Sequence, residues 1–207
     1  MRTIKKTLFK FDELSDSAKE KARDWWRASE LSDMDLIDRD DFEAITKILG
    51  IKFDEKRVPL MNGSTRGESK IYYSGFCSQG DGACFEGRYS YAKGCAKEIR
   101  KYAPQDTRLH SIADQLQELQ RKHFYRIEAR ATHSGHYYHS GCMSVDVYLK
   151  GEDAPRDVEE DTRDILRSFA DWIYRQLEKE YEYRMSDENV DENIRINEYE
   201  FDEEGRI

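Results

Sequence analysis

The chain has 207 residues, 38% of them hydrophobic and 37% charged, with a formal net charge of −9. Aromatic residues reach 12%, including 13 Tyr, which excludes an intrinsically disordered composition and favours a folded, aromatic-rich core. Only 3 Pro and 12 Gly exclude a collagen-like or proline-rich linker protein.

The opening stretch, residues 3–11, reads as a strand. Ser17 with Glu20 forms a capping-box signature, and Ala18, Ala22 and Trp25 then predict a helix to about Glu30. Asp40 and Glu43 repeat the cap. Phe42, Ile45, Ile48 and Leu49 supply the apolar stripe of a second helix, which Gly50 stops. Residues 54–69 are polar, contain Pro59, Gly63 and Gly67, and predict a mobile loop. Residues 70–90 predict two strands around Gly80-Asp81-Gly82, whose Asp-Gly pair is a hairpin signal.

Ser90 is placed to cap a helix bearing Ala92, Ala96, Ile99 and Tyr102, ended by Pro104. Leu109, Ile112, Leu116 and Leu119 give the clearest helical stripe. Tyr125, Ile127, Ala129 and Ala131, then Met143, Val145, Val147 and Leu149, alternate as two strands. Ile165, Phe169, Ile173, Leu177 and Tyr181 predict a long helix. Ile194, Ile196, Tyr199 and Phe201 predict a closing strand. Strands in local hairpins and helices in separate runs predict an α+β fold. An antiparallel sheet packs against several amphipathic helices in one domain spanning 1–207.

The acidity is local. Residues 178–207 hold twelve acids and four bases, so nearly all the net charge lies in this C-terminal segment. Such a face repels nucleic acid and attracts basic protein surfaces. Glu198, Glu200, Asp202, Glu203 and Glu204 are the candidate contacts. The opposite sign gathers in 91–102, where Lys93, Lys97 and Arg100 form a stripe that could meet phosphates. Its rival role is the wet side of an amphipathic helix.

Two constellations are candidates for chemistry. Gln79-Gly80-Asp81-Gly82 is a flexible turn whose amides could form an anion nest, and whose acid could equally hold the turn. His133, His136, His139 and Cys142 carry zinc-type ligands at three-residue steps that match no standard spacing. Tyr137 and Tyr138 at the same tip suit a protein interface. No nucleophile-base motif of a known enzyme family and no cofactor fingerprint occurs. The N-terminus lacks the apolar run of a secretory signal, and no window is long and apolar enough to span a bilayer. The four cysteines form no CxxC pair, so the expected location is a reducing cytoplasm without a membrane partner.

Several strings are distinctive. FDELSDSAKEKARDWW, YSGFCSQGDGACFEG, AP-x-D before a Leu-rich helix and a Tyr-rich hairpin, and the closing NEYEF-x-EEG resemble uncharacterised small proteins of tailed phages and prophages, some generically labelled antitoxins. The resemblance spans nearly the whole chain. It implies an accessory phage protein in the bacterial host cytoplasm, and the leading reading is a non-enzymatic protein that binds a host protein, inhibiting a defence component or toxin through its acidic surface. It assigns no catalytic residue. The alternatives are an enzyme using Asp81 and the His133–Cys142 cluster, or a nucleic-acid-binding regulator using 91–102. Oligomeric state stays open.

Overall fold

A computed structural model describes residues 6–30, 36–37, 39–61 and 63–207. The fold is α+β with antiparallel strand pairing throughout the described residues. Contacts group the chain into two compact units. One, the terminal unit, joins 1–36 to 177–207, and the other, the sheet unit, covers 37–176.

The sheet unit is built on a five-stranded sheet. Its strands are β2 (Ile51–Phe53), β7 (Gly87–Ser90), β8 (Ile127–His133), β9 (Met143–Leu149) and β10 (Glu152–Asp153), in the order β10-β9-β8-β7-β2. The alternation in β8 and β9 is realised: Ile127, Ala129 and Ala131 are buried on one face, opposite Met143, Val145 and Val147. Helices α2 (Arg39–Leu49), α3 (Cys95–Tyr102), α4 (Thr107–Lys122) and the first part of α5 (Arg156–Met185) supply the other half of this core. The α4 stripe is buried as its spacing demands, and Asp106 caps the helix by accepting from the Leu109 N–H at 2.8 Å. Phe169 and Trp172 of α5 stack at 5.6 Å and meet Phe85 and Phe42 edge-on.

Two hairpins leave this sheet at one point. Asp54 N–H donates to Glu86 O, Glu86 N–H to Lys70 O, and Lys70 N–H to Asp54 O, at 2.9, 3.0 and 2.7 Å. This triangle launches β3 (Glu55–Pro59) with β4 (Thr65–Ser69), and β5 (Ile71–Ser74) with β6 (Gly82–Phe85). Its side chains are also paired, Arg130 to Asp54 and Lys70 to Glu86. The mobile loop expected over 54–69 is therefore a β-hairpin. Both of its faces are solvated, so it shows no apolar alternation.

The terminal unit comprises β1 (Phe9–Lys10), a 3-10 turn, α1 (Asp16–Glu30), the end of α5, α6 (Asp187–Ile196) and β11 (Glu200–Phe201). β1 pairs with β11, while residues 3–5 of the expected opening strand lie outside the described residues. Ser15, and not Ser17, caps α1, since its Oγ accepts the Ala18 N–H at 3.3 Å. Ala18, Ala22 and Trp26 form the buried stripe, displacing Trp25 to a flanking contact with Tyr199 and Phe201. Of the closing strand expected over Ile194, Ile196, Tyr199 and Phe201, only Glu200–Phe201 is strand, and Ile194 and Ile196 lie in a helix. Ser186 caps it, Val190 and Ile194 are buried one turn apart, and Ile196 is 70% exposed. Gly205 takes φ +82° against the Ala18 carbonyl, where any Cβ would collide.

Candidate functional site

Two segments that the sequence singles out separately meet in the sheet unit. The turn between β5 and β6 is closed by Asp81, whose Oδ2 accepts from the N–H groups of Cys77 (3.0 Å) and Ser78 (2.6 Å). The anion held by these amides is thus the chain's own carboxylate, so of the two roles the sequence offers, Asp81 takes the one that holds the turn. Gly82 is buried as the first residue of β6, so the Asp-Gly pair is not a two-residue hairpin turn. A Cβ at Gly82 would lie 2.6 Å from His139 Cβ and 3.2 Å from Tyr138 O, so only glycine permits this approach. Gln79 and Gly80 stay exposed, with Gly80 near the Tyr137 ring.

The tip between β8 and β9 is not an extended strand. His133 closes β8, and its Nε2 lies 3.0 Å from Tyr137 O. His139 begins a 3-10 turn over Ser140–Cys142, which sets Nε2 of His139 3.2 Å from Cys142 Sγ. His136 is exposed. Among the described residues no three His, Cys, Asp or Glu side chains converge on a metal geometry, so the candidate quartet is not assembled. The cause is local: His133 is drawn into an aromatic cluster while His139 folds back on its own turn. Arg167 of α5 supports the turn by donating to Met143 O at 2.9 Å, and its buried Nε has no partner.

The rings make a surface. Tyr72 of β5 stacks on Tyr138 at 5.6 Å and 15°, and His133 packs against both at 5.3 and 5.2 Å. Alongside, Phe76 stacks between Tyr73 (6.1 Å) and Tyr174 (5.5 Å), whose hydroxyl donates to Gly75 O. These rings are half-buried, and Tyr137 is 67% exposed. Beneath them lies Cys84, whose thiol is pushed up to about 12 by burial, with Cys142 and Glu86 adding to the effect. It stays protonated and packs as a small apolar group. Burial first, then Glu86, also raises the Tyr72 hydroxyl above its ordinary range. Sequence reasoning reached Tyr137 and Tyr138 but missed Tyr72, Tyr73, Phe76 and Tyr174. The Tyr-rich strand reading of 70–90 hinted at Tyr72, Tyr73 and Phe76, while nothing local pointed to Tyr174 on α5.

The charged candidates fare unevenly. In the basic stripe, Arg100 is spent on Asp114 in two bonds of 2.9 and 2.6 Å, and Gly94, not Ser90, starts α3. Lys93 and Lys97 remain exposed, but Lys93 lies before the Gly94 cap and outside α3, so the expected stripe on a single helix is not formed. In the acidic segment, Asp202 accepts the N–H groups of Glu204 and Arg206, both at 3.0 Å, and Glu204 pairs with Arg206. Those backbone bonds, Arg206 first, hold the Asp202 carboxyl below its usual range. Both acids are therefore largely satisfied within the chain. Glu198, Glu200 and Glu203 are exposed without ion pairs among the described residues.

The fold and site define an antiparallel α+β protein that presents a ring-lined surface. A family model described as a domain of unknown function, DUF8835, matches residues 37–187, and the chain belongs to this family. The match begins where the sheet unit begins and contains the whole aromatic surface. No curated protein and no solved structure matches the chain. No helix among the described residues is long and apolar enough to cross a membrane.

Proposed function

We propose that this chain is a protein-binding module that grips its partner with the aromatic surface around Tyr72, Tyr137 and Tyr138. The observation that carries this reading is the pairing of two ring stacks, Tyr72 on Tyr138 and Phe76 on Tyr174, drawn from segments distant in sequence and left half-open to solvent. Half-buried tyrosines offer large contact area at little entropic cost, the usual composition of interface anchors. The sequence resemblance to phage and prophage proteins supplies the setting: a host protein as partner, most simply a defence component or toxin that the chain inhibits. The unpaired acids Glu198, Glu200 and Glu203 would steer a basic partner.

Affinity capture from bacterial lysate tests the reading. A specific partner should co-purify with the wild-type chain, and its recovery should fall at least about tenfold with Tyr137→Ala/Tyr138→Ala, the loss of one or two interface anchors. Recovery undiminished by that double substitution, or no partner at all, overturns it.

A further inference from the structure

Helix α6 carries an irregularity that the aromatic surface does not explain. Asn189, Asn193 and Asn197 fall four residues apart on a single face. Asn189 and Asn193 lie within the helix and Asn197 is its C-cap; asparagine is a poor former inside a helix, so the two internal ones run against local propensity, a conflict that tends to mark functional positions. Each side-chain amide donates to a backbone carbonyl: Asn189 to Arg184 (3.0 Å), Asn193 to Asn189 (2.8 Å) and Asn197 to Asn193 (2.9 Å). A carbonyl only accepts, so the nitrogen must face the backbone in all three. Each rung then keeps one N–H and its Oδ1 to offer outward.

The three asparagines line a cleft of about 340 Å³ within the terminal unit. Its aromatic wall holds Tyr183, 60% exposed, with Tyr199 and Trp26. Its charged groups are Glu30, Glu180 and Arg184, and the Arg184 Nε donates to Glu180 at 2.6 Å. Glu30 has no ion pair among the described residues, so the lining is negative by one charge. The unit around it holds twenty acids against twelve bases. Four helical residues rise about 6 Å. Two residues of an extended chain advance about 6.6 Å. Successive asparagines therefore keep step with alternate residues of an extended peptide, whose N–H and C=O complement a carboxamide. The rings suit the apolar stems of long cationic side chains, and the carboxylates suit their heads.

We propose that the α6 cleft binds an extended peptide segment carrying lysine or arginine at alternate positions. The site lies outside the aromatic surface and does not depend on its role. Titration of the full chain into a fluorescently labelled (Ala-Lys)4 peptide, read by anisotropy, tests it, with (Ala-Glu)4 and spermine as controls. One-to-one binding of the basic peptide is expected, with none of the acidic one. Asn193→Ala should weaken it about tenfold or more, since two hydrogen bonds to the peptide are lost while the helix gains a better former. Asn189→Ala should act in the same direction, and Tyr137→Ala/Tyr138→Ala should leave the affinity unchanged. No binding, equal binding by Asn193→Ala, or displacement by spermine at matched charge concentration overturns the proposal.

Discussion

The two units hold their charges in different ways. In the sheet unit, pairs join residues close in sequence, such as Lys70 with Glu86 and Arg100 with Asp114, or reach across the sheet, as Arg130 of β8 does past β7 to Asp54 at the end of β2. In the terminal unit they tie the two ends of the chain together. Arg23 takes Asp191 in two bonds of 2.6 and 2.8 Å, Arg27 takes Asp187, and Arg195 takes Asp12, at separations of 168, 160 and 183 residues. Phe11 sits among the cationic groups of Lys19, Arg23 and Arg195 at 5.4–5.9 Å, coupling this network to the apolar cluster. Contacts of such range carry a larger loop-closure cost than the local pairs of the sheet unit.

Core truncation breaks the comparison most forcefully. Phe201→Ala and Phe169→Ala each remove a fully buried ring, one from each unit, and each should cost about 3–5 kcal/mol. In native-state hydrogen exchange, Phe201→Ala should strip protection from α1 and α6 while β8 and β9 keep theirs. Equal loss in β8 and β9 would show the units to be one cooperative block. Charge deletion sharpens it. Arg23→Ala leaves Asp191, which is 15% exposed, with only Arg195 at 4.0 Å, and should cost about 1–3 kcal/mol in urea denaturation. Arg100→Ala breaks a pair exposed by half and should cost at most about 1 kcal/mol.

The smallest effect is a pH dependence. The hydrogen bond from Arg195 holds the Asp12 carboxyl below its ordinary range. A lowered folded-state value stabilises the fold above the unfolded value, near about pH 4, and that gain is lost as pH falls through the folded value. The stability gap between the wild-type chain and Arg195→Ala should therefore be open at neutral pH and narrow below about pH 4. A gap that is constant down to pH 2 would assign it to packing on Phe11 instead.

Much of the sheet unit was legible because its periodicities are long and bury one face: the α4 stripe, and the alternation of Ile127 to Ala131 and Met143 to Val147. What escaped has physical causes. The β3–β4 hairpin has charge on both faces and so shows no period. In α6, Ile194 and Ile196 imitate a two-residue alternation, although Ser186 was a legible cap and Val190 with Ile194 a legible turn. With that helix missed, the four-residue spacing of Asn189, Asn193 and Asn197 carried no meaning. Tyr72 and Tyr138 stack across sixty-six positions of chain, a proximity that no local pattern encodes. The acid of the Ser78–Gly82 turn was readable as either ligand or staple, and only the amides of Cys77 and Ser78 decided for the staple.

The triangle of backbone bonds at Asp54, Lys70 and Glu86 has an architectural corollary. Its links are main-chain amides and carbonyls, so most side chains are compatible with the branch, whereas proline at any corner would open it. The β3–β4 and β5–β6 arms grow from an anchor that does not depend on their length. Either arm can therefore change in length or sequence while the backbone bonds of the trunk are kept, as surface hairpins tolerate insertion and deletion.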